Sequence, residues 1–267
     1  MITVLAIGDL VGKPARKALT HLLPLAKAEF SPDLILANGE NAAGGFGLTR
    51  KVFDQLTLEL GIDVITMGNH WHDKKEIHDF CNEASNLVLP ANMSNVNDAS
   101  RGLRLIETRS GHKVAVANVI GKAFMHPENS CPFKMLDRIW DQVPERIKLR
   151  IVDFHGEASS EKQGIGHYMT GRASLVYGTH VHVPTADERI LAGHTGFVTD
   201  LGMTGAYDSI IGMKKEGALR RLITGEKRKM EPAVDDLWMC FIVAECDPQT
   251  GRCTSIKRFR WEVNQFS

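Results

Sequence analysis

Five short apolar runs in this chain each stop at a cluster of polar, ligand-type side chains. Thr3–Ile7 runs into Gly8-Asp9, Leu34–Ala37 into Gly39-Glu40-Asn41, and Val64–Thr66 into Gly68-Asn69-His70. Leu149–Val152 leads to Phe154-His155, and Leu175–Tyr177 to Gly178-Thr179-His180-Val181-His182. Runs of this length, rich in β-branched residues, read as buried strands. Ligands at the ends of neighbouring strands converge on one edge of a sheet, the edge at which open α/β sheets bind ligands.

The stretch around these runs alternates strand and helix. Ile2–Ile7 and Asp33–Asn38 are read as strands flanking a helix over Lys13–Phe30, with Pro14 in its first turn and Pro24 set to kink or divide it. Thr49 can cap a helix over Arg50–Leu60 that Gly61 ends. Asp63–Met67 is a third strand and Lys74–Ala84 a third helix. A βαβαβα rhythm implies parallel strands with right-handed crossovers. The pattern then changes. Gly102–Thr108 and Lys113–Val119 flank Ser110-Gly111-His112 as a β-hairpin, and Trp238–Glu245 and Thr254–Glu262 flank a turn at Asp247–Gly251. With no internal repeat and no linker-like stretch, residues 1–267 are read as a single α/β domain with two mixed sheets covered by helices.

Composition excludes several functions. With 32 basic and 32 acidic residues, the chain has no polybasic tract to serve as a dedicated nucleic-acid surface. Its partner is expected to be a small anion held locally. The longest apolar run, Leu237–Ala244, falls far short of the about 20 residues that span a bilayer. Met1 leads straight into strand-like sequence without a signal-peptide pattern. Cys81, Cys131, Cys240, Cys246 and Cys253 are odd in number and form no CxxC pair, which suits reduced thiols in a cytoplasm.

The clustered side chains are carboxylates, amides and imidazoles, with no thiolate among them. Such donors suit Mn, Fe, Zn or Mg better than a Cys-dominated structural zinc site does. Phosphoester hydrolysis is the chemistry that a pair of these cations serves. Together they lower the pKa of water from about 15.7 toward about 7, neutralise phosphate charge and set in-line geometry when about 3.5–4 Å apart. On this reading Glu40 bridges the pair, Asp9, Asn41 and His182 hold one cation, and Asn69, His155 and His180 hold the other. His180 and His182 are two apart, so extended backbone projects them to the same side. Asn41 also fits a structural role beside Gly44-Gly45, and Asp9 or Asn69 alone would read as a turn residue.

In order and spacing these clusters resemble the calcineurin-like metallophosphoesterases over roughly residues 1–185. That family's pattern is Asp-x-His, Gly-Asp-x-x-Asp, Gly-Asn-His-Glu, a lone His, and Gly-His-x-His. Here Gly8-Asp9-Leu10-Val11 lacks the first His, Glu40 stands for the bridging Asp, Trp71 follows His70 where an acid is usual, and the last motif reads Gly-Thr-His-Val-His. Asn41 is placed to substitute for the missing His. These departures resemble a narrower group, the YmdB-type bacterial metallophosphoesterases. The shared segments include Gly39–Gly44, Met67–His70, Asp153–Ala158, Gly171–Ser174 and Thr199–Gly205. The resemblance implies an α/β/β/α calcineurin-like fold, two mixed β-sheets sandwiched between helices. It also implies a cytoplasmic phosphodiesterase acting on cyclic nucleotides, notably 2′,3′-cyclic nucleoside monophosphates, with an iron or manganese pair. His70 then lies beside the phosphate and protonates the leaving oxygen, work that imidazole suits.

Two rival readings use the same residues: a phosphomonoesterase or protein phosphatase, and a regulatory protein that binds nucleotide with incidental turnover. Gly44-Gly45-Phe46-Gly47 is read as a flexible active-site loop, because a phosphate-binding loop would carry Lys-Ser/Thr. Thr199–Gly212 is expected as a loop shaping the substrate pocket or a subunit contact, which leaves a homo-oligomer open. His72 and His167 are weak candidates near the motifs. Lys214–Arg221 is read as a solvated helix face, and Glu226-Lys227-Arg228-Lys229 as a surface loop.

Overall fold

Alternate residues of the first strand go to different cores. Leu5 and Ile7 pack under helices, while Ile2, Val4 and Ala6 pack against a second sheet. A strand buried on both faces reads as a continuous apolar run, which is why the sequence announces it so clearly. The computed structural model describes residues 1–94, 98–126, 128–226 and 230–266. Residues 227–229 of the basic loop lie outside the described residues.

In chain order the elements begin with β1 (Ile2–Ile7), β2 (Asp9–Leu10), α1 (Gly12–Phe30), β3 (Leu34–Asn38), α2 (Arg50–Asp54), β4 (Val64–Thr66), α3 (Ile77–Phe80) and β5 (Leu87–Val88). Next come β6 (Leu103–Glu107), β7 (Lys113–Ile120), α4 (Pro132–Trp140), β8 (Leu149–His155), α5 (Ser159–Tyr168) and β9 (Leu175–Thr179). The chain continues through β10 (Arg189–Leu191), β11 (Thr195–Val198), β12 (Met203–Ala206), α6 (Lys215–Thr224), β13 (Leu237–Cys246) and β14 (Cys253–Glu262).

One sheet runs β2-β12-β13-β1-β3-β4-β5, with β14 also paired to β13; the other runs β10-β11-β9-β8-β7-β6. Strands β1, β3, β4 and β5 are parallel, as are β7, β8, β9 and β11, while both expected hairpins are antiparallel. The sheets pack face to face through Ile2, Val4, Leu34 and Leu36 against Val114, Val116, Leu149 and Ile151. Helix α1 covers the outer face of the first sheet, and α4 and α5 that of the second. This is the α/β/β/α arrangement expected from the resemblance. No helix among the described residues is long and apolar enough to cross a membrane.

Four local expectations fail in instructive ways. Helix α1 passes through Pro24 unbroken, because Ala15, Leu19, Leu22, Leu23 and Ala26 bury one continuous stripe. Thr49 does cap α2 by accepting from Val52 N, but the α-helix gives way to a π-turn over Gln55–Glu59. The helix expected over Lys74–Ala84 contracts to α3. Ile77, His78 and Asp79 donate to carbonyls only three residues back, so the entry is a run of tight turns. Finally, Thr199–Gly212 is not all loop. Met203–Ala206 forms β12, paired in parallel with Asp9–Leu10 and antiparallel with β13. Its Met-Thr-Gly-Ala sequence carries no alternation to announce a strand, so tertiary partners alone create it.

Candidate metal centre

The carboxyl ends of β1, β3 and β4 meet those of β8 and β9 at one rim of the interface between the sheets. All seven residues expected as ligands come together there. His155 Nε2 lies 3.2 Å from Glu40 Oε2, 3.0 Å from Asn69 Oδ1 and 3.1 Å from His180 Nδ1. His182 Nε2 lies 3.1 Å from Asn41 Oδ1, and Asp9 Oδ2 accepts from His180 N at 3.1 Å. Two groups of side chains have ligand atoms mutually within 4.8 Å: Glu40 with His155 and His180, and Asp9 with Glu40 and His182. Glu40 belongs to both.

Hydrogen bonds set which nitrogen each imidazole offers. Thr179 donates its hydroxyl to Asp153 Oδ1 at 2.7 Å, so its oxygen must accept from His155 Nδ1 at 2.9 Å. His180 Nε2 faces Glu157 at 3.1 Å, which leaves Nδ1 for the centre. His182 Nδ1 donates to the Ile211 carbonyl at 2.9 Å, which leaves Nε2. Partners of this kind fix tautomer and ring orientation in metal-binding histidines.

The result is a convergence of lone pairs. Asn41 Nδ2 donates to Gly45 O, so its Oδ1 is the atom facing His182 Nε2, and neither atom carries a proton. Asp9 Oδ1 is buried with no hydrogen-bond partner among the described residues. Around His155 Nε2 a single proton could serve only one of Glu40, Asn69 and His180, whereas a divalent cation would meet all of them. A Cβ on Gly68 would collide with Glu40 Oε2 and the His155 ring, so glycine is needed to keep this cradle open. The donor set and the orphaned oxygen fit a metal pair.

Electrostatics point the same way. Burial pushes the Asp9 carboxyl well above its usual range, aided by Asp200 and Glu40. Burial would also raise Glu40, but His155, His70 and His180 outweigh it and hold the carboxylate at about 2. Burial works to lower His155, yet Glu40, Asp9 and Asp153 lift it to about 9. Burial, and then His155, drive His180 down to about 3. Burial likewise lowers His182. Glu40 stays ionised beside the buried imidazoles of His180 and His182, whose burial disfavours protonation, and such an environment favours a cation.

His70 stands next to this cluster. Its backbone N–H donates to Glu40 Oε2, its Nδ1 meets Asp73 Oδ2 at 2.8 Å, and its ring packs edge-on against Phe46 at 5.1 Å. The acid missing at position 71 is therefore met at Asp73. Among the described residues Nε2 makes no hydrogen bond. His72 and His167 are exposed, and neither joins the cluster.

Several functional neighbours escaped sequence reasoning. Asp153 on β8 accepts from Asn38 of β3 and Thr66 of β4 as well as from Thr179, tying the two sheets together directly beneath the site. Glu157 and Thr179 sat inside quoted motifs, yet only their contacts give them a role. Lys162 and Asp200 form a fully buried ion pair. Asp200 Oδ1 accepts from Gly202 N, and the Gly202 carbonyl in turn accepts from Asp9 N. The segment after β11 thus braces Asp9 at one end and His182, through Ile211, at the other. Backbone strain marks the same places. His180, His182 and Ile211 adopt φ of 99°, 66° and 46°. For a β-branched residue such as Ile211 this is an outlier that the surroundings must enforce.

The chain is similar to several known proteins. The family model for YmdB-like proteins matches residues 5–259. A protein of Bacillus subtilis (strain 168) named 2′,3′-cyclic-nucleotide 2′-phosphodiesterase is 41% identical over 255 residues, covering 96% of this chain and 95% of that one. A crystal structure described as a novel phosphatase from Mycoplasma pneumoniae is 30% identical, with a TM-score of 0.89 over 98% of this chain and 93% of that one. The calcineurin-like phosphoesterase YfkN of Bacillus subtilis, 12% identical, shares the fold at a TM-score of 0.53 over 98% of this chain and 91% of that one. A chain matched almost end to end in this way, on a calcineurin-like phosphoesterase fold, belongs to the YmdB-like family.

Proposed function

We propose that this protein is a two-metal phosphodiesterase that opens 2′,3′-cyclic nucleoside monophosphates. The observation that carries the reading is the meeting of unshared lone pairs at two points that have Glu40 in common. Asp9, Asn41 and His182 would hold one cation, Asn69, His155 and His180 the other, and Glu40 both. When bound, the pair supplies hydroxide at neutral pH and neutralises phosphate charge. The nitrogen and oxygen donors suit iron, manganese, zinc or magnesium, and the resemblance favours iron first and manganese second.

The chain's own contribution is positioning and one proton. Asp73 and Phe46 hold the His70 ring so that Nε2 can protonate the departing ribose oxygen. In a cyclic diester that oxygen stays tethered to the product, so a single attack and a single proton transfer complete the reaction. The activity for which the Bacillus subtilis relative is named supports this substrate class. Because the site draws residues from both sheets, neither sheet would carry it alone, which supports one domain over the whole chain. All five cysteines are free thiols, which suits a cytoplasmic location.

The test is a screen of metal-loaded protein against 2′,3′-cyclic nucleotides, linear diesters and phosphomonoesters. The cyclic nucleotides should give the highest kcat/KM. Faster hydrolysis of simple monoesters would move the chain to the phosphatase reading. Asn41 offers a finer check. A neutral amide oxygen is a weak donor, but its loss leaves His182 and Asp9 to hold their cation without it. Asn41→Ala should weaken that cation by about 10–100-fold, the span seen when supporting groups are removed, and spare its neighbour. Calorimetric titration resolving both binding events reads this directly, and two unchanged affinities would make Asn41 a turn residue.

A further inference from the structure

His182 borders more than the candidate centre. It also forms part of the wall of a cleft of about 290 Å3, with Pro184, Met203, Tyr207, Ile211 and Arg260. Larger hollows exist, such as one of about 550 Å3 lined by Arg50, Phe53, Leu105 and Glu107, but they share no residue with the centre. The His182 cleft is nucleoside-sized, and its walls mix apolar side chains (Val183, Pro184, Met203) with polar ones (Ser209, Tyr207). Its far side is a cation held in place by aromatic rings. The Arg260 guanidinium lies 4.0 Å from the Trp238 ring centre and 4.9 Å from that of Tyr207.

That bracket is built from pinned parts. Trp238 Nε1 donates to the Asp236 side chain, Tyr207 N donates to the Asp236 carbonyl, and the Tyr207 hydroxyl donates to the Met203 carbonyl. Arg258, two residues before Arg260 on β14, is neutralised by Glu188. Arg260 has no carboxylate partner among the described residues. Stacking leaves the guanidinium edge, with its fork of N–H donors, free for an anion, and a pre-ordered fork loses little entropy when it binds one.

We infer that this cleft is a second subsite, in which Arg260 binds a second phosphate of the substrate while the nucleoside between the two phosphates lies against Met203, Pro184 and Tyr207. The preferred substrate is then a short oligoribonucleotide ending in a 2′,3′-cyclic phosphate. Arg260 takes the diester that joins the terminal nucleotide to the one before it. This rests on the two-metal phosphodiesterase reading for the reaction itself. Water adds to the cyclic phosphorus, one ribose P–O bond breaks, the freed oxygen takes a proton, and the inter-nucleotide diester stays intact. One cation without a carboxylate partner in this cleft, on a chain of zero net charge, reads one phosphate and no longer tract.

The experiment compares a cyclic mononucleotide with a dinucleotide bearing the same cyclic end, using metal-loaded wild type, Arg260→Gln and Arg260→Lys. In the wild type the dinucleotide should be favoured by about 10–100-fold in kcat/KM, mostly through KM, as befits a charged hydrogen bond. Its dependence on salt should be steeper by about 0.7 in log–log slope. In Arg260→Gln the dinucleotide-to-mononucleotide ratio should fall toward one and the extra slope should vanish. Arg260→Lys, which keeps the charge and loses the fork, should fall between. A second readout is independent of turnover: the affinities of a dinucleotide and of a mononucleotide, each ending in a 3′-phosphate, measured by fluorescence anisotropy. If the wild type shows no preference for the dinucleotide, or if the ratio survives in Arg260→Gln, the subsite is refuted. If neither cyclic substrate is turned over but dinucleotide binding still depends on Arg260, the subsite stands and the hydrolase reading falls.

Discussion

Glu40→Ala is expected to empty both cation sites together and to lower turnover by more than about 10³-fold. The carboxylate lies in both candidate groups and is buried, and the surrounding histidines keep it charged. Removing it takes the shared negative charge from between two points that need it. It also leaves His155 Nε2 facing only Asn69 and His180. Without the cations, water returns from a pKa of about 7 toward 15.7 and the nucleophile is lost. Elemental analysis of the purified variant, with circular dichroism to confirm folding, reads the outcome. Full occupancy of both sites in a folded variant would end the bridging assignment. Glu40→Gln keeps the volume and one oxygen donor but drops the charge, so it should retain part of the metal.

His70→Ala should leave metal content intact and reduce the rate by about 10²–10⁴-fold, the usual span for a lost general acid. The size of the loss should depend on the leaving group. A ribose alkoxide needs a proton as it departs, whereas a nitrophenolate does not, so the loss should shrink sharply on a nitrophenyl diester. Comparing the two substrates in wild type and variant separates proton donation from positioning. An equal loss on both would mean that the His70 ring, held by Asp73 and Phe46, positions phosphate or metal and is not the acid.

What could be read from the sequence follows the range of the interactions involved. The parallel strands were legible because burial on both faces leaves unbroken apolar runs, and the ligand-type residues were legible because they sit directly after those runs. Thr49 announced its cap by a purely local bond. What failed depends on distant partners. Met203–Ala206 is a strand only because Asp9–Leu10 and β13 flank it. Glu157 and Thr179 look like ordinary polar residues until the fold sets each against a distant imidazole. Asp153 opens a segment shared with the narrower group, yet its importance lies in bonds to Asn38 and Thr66, which are far away in the chain. Ile211 gave no signal at all, since it is the backbone carbonyl that serves His182.

The division of the ligand-type residues between the two sheets has a bearing on how the chain folds and lasts. Asp9, Glu40, Asn41 and Asn69 follow strands of one sheet, while His155, His180 and His182 end or follow strands of the other. A half-formed molecule with undocked sheets has no complete set of donors, so a cation held by these residues would recognise only the docked state. Binding restricted to the native state adds stability by mass action, about 2.7 kcal/mol for each site at a free cation concentration of a hundred times Kd. For a protein whose whole margin is about 5–15 kcal/mol, that is a substantial share. Scarcity of the cation would therefore shorten the lifetime of the protein against unfolding and proteolysis as well as slow its chemistry.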